Sequence, residues 1–392
     1  MDARDLRIAM FSGNYNYVRD GANQALNRLA EYLLRQGAAL RVYSPTVERP
    51  AFPPMGEVVS VPALPVPRRP EYRWPLMIPP RVKRDIKAFR PNIFHVASPE
   101  ILGHRAVTLA RKTDVPVIAS VHTRFETYLR YYGLAFMEPL VVAALRRFYR
   151  RCDAIFAPSD SMAQLLREQR MNYNVGIWTR GIDTEIFNPG RRDLDWRRGM
   201  GIEDDVPVIG FIGRLVMEKG LDVFSDTIDQ LERRQIRHNV LVVGHGPARD
   251  WFEKRLPNAI LAGFQAGPDL GRAVASMEML FNPSVTETFG NVTLEAMACA
   301  LPVVAAIATG SQSLVTDGVT GRLIRAGAID GFADALALYC QDGGARRKAG
   351  QAGLEVSRRY GWDQVNQALV DGYIRTIRQR AAGSRMPASS IP

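Results

Sequence analysis

Cysteine is scarce in this 392-residue chain: Cys152, Cys299 and Cys340 are an odd number, far apart, each inside an apolar or helical run. That pattern argues against a disulfide framework or a cysteine metal site and fits buried free thiols in a reducing compartment. No window of 18 apolar residues occurs, and the opening MDARDLRIAMFSGN has no long apolar core. The expectation is a chain with neither signal peptide nor membrane span. Repeats and low-complexity tracts are also missing, and no Asp-x-Asp pair follows an early strand.

What is present fits two α/β domains. The apolar fraction of 46% is ordinary, and the length is comfortable for two hydrophobic cores. The net charge of +11 is unevenly placed: through Glu185 there are 27 Lys and Arg against 17 Asp and Glu, then 24 against 23. A one-sided basic field points to an anionic surface as partner. Nucleic acid would need a reading helix or a stacking platform, and none is legible.

The first half opens β-α-β. Leu6–Phe11 reads as a buried strand, and a helix follows with Ala22, Ala25, Leu26, Leu29, Ala30 and Leu33 on one stripe, ending at Gly37. Ala38–Ser44 is the next strand. A glycine at a strand-to-helix junction lets a phosphate approach backbone N–H groups. From Pro62 to Pro80 the chain is Pro-rich, with Arg68, Arg69, Tyr72, Arg73 and Trp74 interleaved, and Arg81, Lys83, Arg84, Lys87 and Arg90 follow. This mixture suits a membrane interface or a basic surface loop. In Met137–Arg151, Leu140, Val141, Ala144, Leu145 and Phe148 face one way and four arginines close the segment. An interfacial helix and a core helix with cations at its C-terminus both fit. The strand Val115–Val121 ends in His122-Thr-Arg-Phe125, and in an open parallel sheet ligands collect at the carboxyl ends of strands. His95 follows another apolar segment and is read as structural.

The second half restarts as β-α-β with Val206–Gly213, followed by Arg214 and Lys219, two cations within reach of one diphosphate. The strand Asn239–Gly244 ends in Gly-His-Gly-Pro, but Arg249 stands where a dinucleotide fingerprint has its third glycine. Then TETFGNVTLEAMACALPVV, Thr286–Val304, sets Glu287 and Glu295 eight positions apart across a Phe-Gly-Asn turn. One carboxylate stands ahead of a helix N-terminus and the other about one turn inside it. The helix end suits a phosphate, and the acids can accept hydrogen bonds from sugar hydroxyls.

This last stretch closely resembles the signature of retaining GT-B glycosyltransferases, the glycogen-synthase-like and phosphatidylinositol-mannosyltransferase-like clan (GT4-type). GRLVMEKG (Gly213–Gly220) and RGIDTEIFNP (Arg180–Pro189) resemble other segments of that clan. The resemblance implies an α/β GT-B fold: two Rossmann-like domains facing across a cleft, with a final helix crossing back to the first. The expected division is 1–190, 191–360, a crossover helix 361–380 and a disordered tail 381–392. It implies catalytic roles for His122, Glu287, Arg214 and Lys219. Donor binding falls to Gly21, Gly244, Gly246, Phe289, Gly290, Asn291 and Glu295, and the acceptor side to Thr123, Arg124 and Tyr128.

The same resemblance implies a UDP- or GDP-sugar co-substrate, no cofactor and no metal, and retention of configuration, with no carboxylate identifiable as a nucleophile on the acceptor side. HTRFETYLRYYGL and the PEYR-containing loop look nearest to lipid-directed mannosyl- and sulfoquinovosyl-transferases. The acceptor expected is thus a membrane lipid or a lipid- or glycan-linked group, at the inner face of the cytoplasmic membrane. Arg124 departs from the HTDF pattern of those members. It could serve a carboxylated or sulfonated sugar, a phosphorylated acceptor, or the basic surface. Polysaccharide assembly by a soluble transferase and a GT-B epimerase are the alternatives.

Overall fold

The structure, a computed structural model, describes residues 1–17, 21–66, 69–124 and 135–383. The chain divides into two compact units, Met1–Arg180 with the segment from Trp362 onward, and Gly181–Gly361. Residues 181–190, read from the sequence as the close of the first half, therefore belong to the second unit. The reason is packing: Ile182 and Phe187 bury themselves in the second unit's core, and the Ile182 amide donates to the Tyr360 carbonyl at 2.7 Å.

The first unit is built on seven parallel strands in the order β3-β2-β1-β6-β7-β8-β9. These are β1 (Arg7–Phe11), β2 (Ala39–Ser44), β3 (Glu57–Ser60), β6 (Ile93–Val96), β7 (Val117–Ser120), β8 (Ala154–Ala157) and β9 (Val175–Ile177). Most are short apolar runs buried on both faces, as an all-parallel sheet requires. The helix Gly21–Arg35 covers one face with Ala25, Leu26, Leu29, Ala30 and Leu33. The last helix, Trp362–Gly383, adds Val365, Leu369, Val370 and Tyr373 to the same core. It runs three residues past the expected end at 380; the tail 384–392 lies outside the described residues.

Two expectations change here. The Pro-rich stretch is not only a loop: β4 (Ala63–Val66) and β5 (Arg69–Pro75) pair antiparallel, with Leu64 opposite Trp74. A two-stranded ribbon tolerates Pro65 because both strands are edges. Arg68 lies outside the described residues, as do the side chains of Arg69 and Tyr72. In the helix Glu138–Tyr149 the apolar side is covered unevenly: Phe148 and Tyr149 are buried, Val142 and Leu145 pack partly buried against the core, and Leu140 and Ala144 are exposed.

The second unit carries six parallel strands in the order β12-β11-β10-β13-β14-β15. They are β10 (Val208–Ile212), β11 (Asn239–Val243), β12 (Ile260–Gly263), β13 (Met279–Asn282), β14 (Val303–Ala306) and β15 (Gly321–Ile324). Counted within the unit this is 3-2-1-4-5-6, the doubly wound Rossmann order, whose direction reverses between β10 and β13. All three cysteines are unpaired; Cys152 and Cys299 are buried, and Cys340 is partly exposed. Among the described residues, no helix is long and apolar enough to cross a membrane, and no cluster of metal-binding side chains occurs.

Candidate functional site

The reversal point of the second sheet gathers the charged residues. After β10 the chain makes a single 3-10 turn, Met217–Lys219, and escapes it through Gly220 in the left-handed region (φ 73°). A Cβ at Gly220 would stand 3.1 Å from the Pro283 carbonyl, so glycine admits the loop after β13 to close range. The result is an ion pair between Lys219 Nζ and Glu287 Oε1 at 2.5 Å, with the side chains 30% and 15% exposed. The cation expected for phosphate and the acid expected for sugar are thus held together, 68 residues apart in sequence.

Glu287 is also fixed through its backbone. Its carbonyl accepts from the Gly310 amide at 2.9 Å and from Thr309 Oγ1 at 2.7 Å. A Cβ on Gly310 would lie 2.7 Å from the Phe289 carbonyl carbon and 3.0 Å from Glu287 Cβ. Thr309 and Gly310 therefore place the acid. The sequence carried a signal for them, a Thr-Gly-Ser run just past the β14 strand that opens the short helix Thr309–Leu314, which the motif reading passed over.

Gly290, with φ 95°, caps the helix Asn291–Ala298, and Asn291 is its first residue. Glu295 lies on the second turn. Burial pushes its carboxyl up to about 7, and the charge of Glu287 adds to the effect. The Phe289 ring is buried, edge-on to Tyr360 with centroids 5.8 Å apart, and anchors the turn. Gly244 and Gly246 pack the loop after β11 onto the loop after β10: added Cβ atoms would come within 1.8 Å of the Gly213 carbonyl oxygen and 2.3 Å of that of Leu215. Arg214 is exposed and makes no ion pair among the described residues.

The carboxyl edge of the first sheet differs. His122 follows β7, and both ring nitrogens are engaged by protein: Nε2 with Ser120 Oγ at 2.8 Å and Nδ1 with the Arg180 guanidinium at 2.7 Å. Burial, followed by the Arg180 charge, holds its pKa well below the ordinary histidine value, so the ring is neutral. Thr123 and Arg124 are half-buried, and Gly21 begins its helix as its first residue. Tyr128 lies outside the described residues. Sequence reasoning missed Arg180 and Ser120. It also missed Glu100, a carboxyl at the end of β6 that accepts from Ser98 Oγ at 2.8 Å and packs against Gly13, its pKa raised by burial. The Ser-Pro-Glu run just after an apolar strand was the available signal.

The second unit thus presents paired charges at a Rossmann reversal point, as a nucleoside diphosphate sugar requires. Comparison with known proteins agrees. The Glycosyltransferase Family 4 profile matches residues 19–186, and the Glycosyl transferases group 1 profile matches 206–342. A GDP-mannose-dependent alpha-mannosyltransferase of Mycolicibacterium smegmatis is 30% identical over 96% of this chain and 99% of its own. A sulfoquinovosyl transferase of Arabidopsis thaliana is 29% identical over 91% of this chain and 71% of its own. A sucrose-phosphate synthase structure from Thermosynechococcus elongatus superposes with a TM-score of 0.77 at 18% identity, covering 96% of this chain and 99% of that one. Two Rossmann-like units, charges at the reversal point and relatives spanning the whole chain lead to one conclusion: this chain belongs to glycosyltransferase family 4, as a GT-B enzyme that uses a nucleotide sugar.

Proposed function

We propose that the protein is a retaining, metal-independent transferase that moves a hexosyl or uronosyl unit from a UDP- or GDP-sugar to a membrane lipid or lipid-linked acceptor. The observation that carries this reading is the Lys219–Glu287 pair, in loops that also hold the exposed Arg214 and the start of the helix at Asn291. On donor binding, Lys219, Arg214 and the helix N-terminus neutralise the leaving diphosphate, while Glu287 and Glu295 accept from the sugar and ribose hydroxyls. Fixed positive groups aimed where negative charge grows lower the barrier without a metal ion. The acceptor hydroxyl gives its proton to a donor phosphate oxygen, its oxygen bonds to the anomeric carbon on the face the diphosphate leaves, and configuration is kept.

The lipid half of the proposal rests on the first unit. Leu64, Trp74, Leu76 and Met77 are exposed on and after the hairpin, and Phe136 and Leu140 are exposed at the start of the helix that ends near Arg147 and Arg150. Large exposed apolar side chains with basic neighbours suit the interface of an anionic leaflet. Free thiols in both units are consistent with work at the cytoplasmic face.

The test is a panel of UDP- and GDP-sugars, with and without phospholipid vesicles containing anionic lipid, followed by nucleotide release. Release that needs both donor and vesicle, persists in EDTA and gives a product of unchanged anomeric configuration by NMR is expected. Release onto a soluble glycan without vesicles points to polysaccharide assembly. Turnover with no acceptor points to an epimerase, and an inverted product contradicts retention.

A further inference from the structure

We propose that Tyr373, His95, Ser120 and Arg180 are positioning residues for His122: one line of hydrogen bonds, starting on the terminal helix and closed by Arg180, fixes the tautomer and place of its ring. The inference rests on reading His122 as a residue of the transfer site.

The line lies wholly within the first unit. Tyr373 Oη stands 2.7 Å from His95 Nδ1, His95 Nε2 stands 2.9 Å from Ser120 Oγ, and the same Oγ stands 2.8 Å from His122 Nε2. Arg180 closes it at His122 Nδ1, 2.7 Å away. A guanidinium only donates, so Nδ1 of His122 accepts and the single proton of the neutral ring sits on Nε2. That N–H donates to Ser120 Oγ. Ser120 Oγ either passes its own proton to His95 Nε2, leaving His95 Nδ1–H to donate to Tyr373 Oη, or accepts a second time from His95 Nε2–H, with Tyr373 O–H donating to His95 Nδ1. In both arrangements each link carries one proton and the His122 tautomer is the same.

Burial supports the neutral state of both rings, with His95 fully enclosed and held down to about 3. Trp178 wedges between them, its ring centroid 5.9 Å from that of His95 and 5.7 Å from that of His122, edge-on to each. Its indole N–H donates to Asn366 Oδ1 at 3.3 Å. Asn366 and Tyr373 are seven residues apart, two turns along one face of the terminal helix. That helix therefore does more than cover the sheet: two of its polar side chains reach the cluster that sets His122. Ordinary core helices place apolar residues there, and a polar line with His95, Ser120 and Tyr373 buried persists when its members are hydrogen-bonded.

The test uses the full chain labelled with 15N-histidine. At neutral pH the wild type is expected to show His122 with Nε2 protonated and Nδ1 bare. In Tyr373→Phe, His95 Nδ1 loses its partner, which changes the bond between His95 Nε2 and Ser120 Oγ and displaces the His122 Nε2–H resonance. Turnover, kcat, is expected to fall roughly tenfold with the donor KM unchanged, equivalent to about 1.4 kcal/mol of barrier. Ser120→Ala should give the same loss, Tyr373→Phe added to it should cost nothing further, and Ser120→Thr should restore activity. Identical His122 signals in Tyr373→Phe and wild type, or additive losses in the double variant, overturn the line. Wild-type turnover by His122→Ala, with the ring signals of His95 still obeying the scheme, overturns instead the reading of His122 as a site residue.

Discussion

The carboxyl edges of the two sheets are built alike and finished differently. Both sheets are parallel, and on both edges the chosen side chains follow short apolar strands. Yet in the first unit the carboxyl end of β7 leads to a neutral imidazole whose two nitrogens are already engaged by Ser120 and Arg180. In the second, the loops after β10 and β13 hold opposite charges that are only partly buried, with Arg214 exposed beside them in sequence. A saturated neutral edge can shape and orient but has little left to offer a charged ligand. A half-exposed ion pair can exchange its partner for one, because an exposed or half-exposed pair is worth little in itself. The difference is why the proposed diphosphate contacts are assigned to the second edge.

The hardest test of that contrast is to remove the charges. Lys219→Ala and Glu287→Ala are each expected to lower kcat by about 10²–10³, the loss typical of one electrostatic contact to a transition state, about 2.7–4 kcal/mol. The fold should stay intact by circular dichroism, because the pair is near the surface. Nucleotide release at the wild-type rate from either purified variant would erase the distinction between the two edges.

A smaller effect is expected where charge is kept and only placement changes. In Gly310→Ala the new methyl meets the Phe289 carbonyl carbon at 2.7 Å, and a backbone group cannot swing aside as a side-chain tip can. The Glu287 loop must shift, and a displacement near 1 Å costs on the order of 10²-fold in kcat/KM at most. Gly13→Ala, on the first edge, meets the tip of the Glu100 side chain, which can turn aside where a backbone carbonyl cannot, and should cost less. Steady-state kinetics of the two variants, side by side, show whether rigid placement matters more in the second unit.

Much of this was legible in the sequence because it is local. Strands showed as apolar runs, the helix after Gly290 as a glycine followed by apolar spacing, and Lys219, Arg214, Glu287 and His122 as polar residues just past strand ends. What the sequence hid is what depends on strand order. Lys219 meets Glu287 because β10 and β13 are neighbours although two strands intervene in the chain. His95 meets Tyr373 across 278 residues for the same kind of reason. The hairpin was obscured by its prolines.

The subtlest distinction between the edges is their response to pH. On the first, burial keeps His95 and His122 neutral across the physiological range, so neither should titrate there. On the second, Glu295 is raised from its ordinary carboxyl range to about 7, chiefly by burial. A carboxyl whose folded pKa exceeds its unfolded one binds its proton more tightly in the folded state. Its contribution to stability is therefore present below the ordinary carboxyl pKa and lost as pH rises through about 7. Donor binding should run the other way, since an ionised carboxylate accepts hydrogen bonds from a ribose diol better than a protonated one. Nucleotide-sugar affinity, measured by calorimetry, is expected to weaken as pH falls through about 7, by no more than roughly tenfold per pH unit. Glu295→Gln, uncharged at every pH, should bind more weakly than the wild type above that range and show a flat profile through it. A wild-type profile equally flat would place Glu295 away from the ribose, whatever Lys219 and Glu287 do.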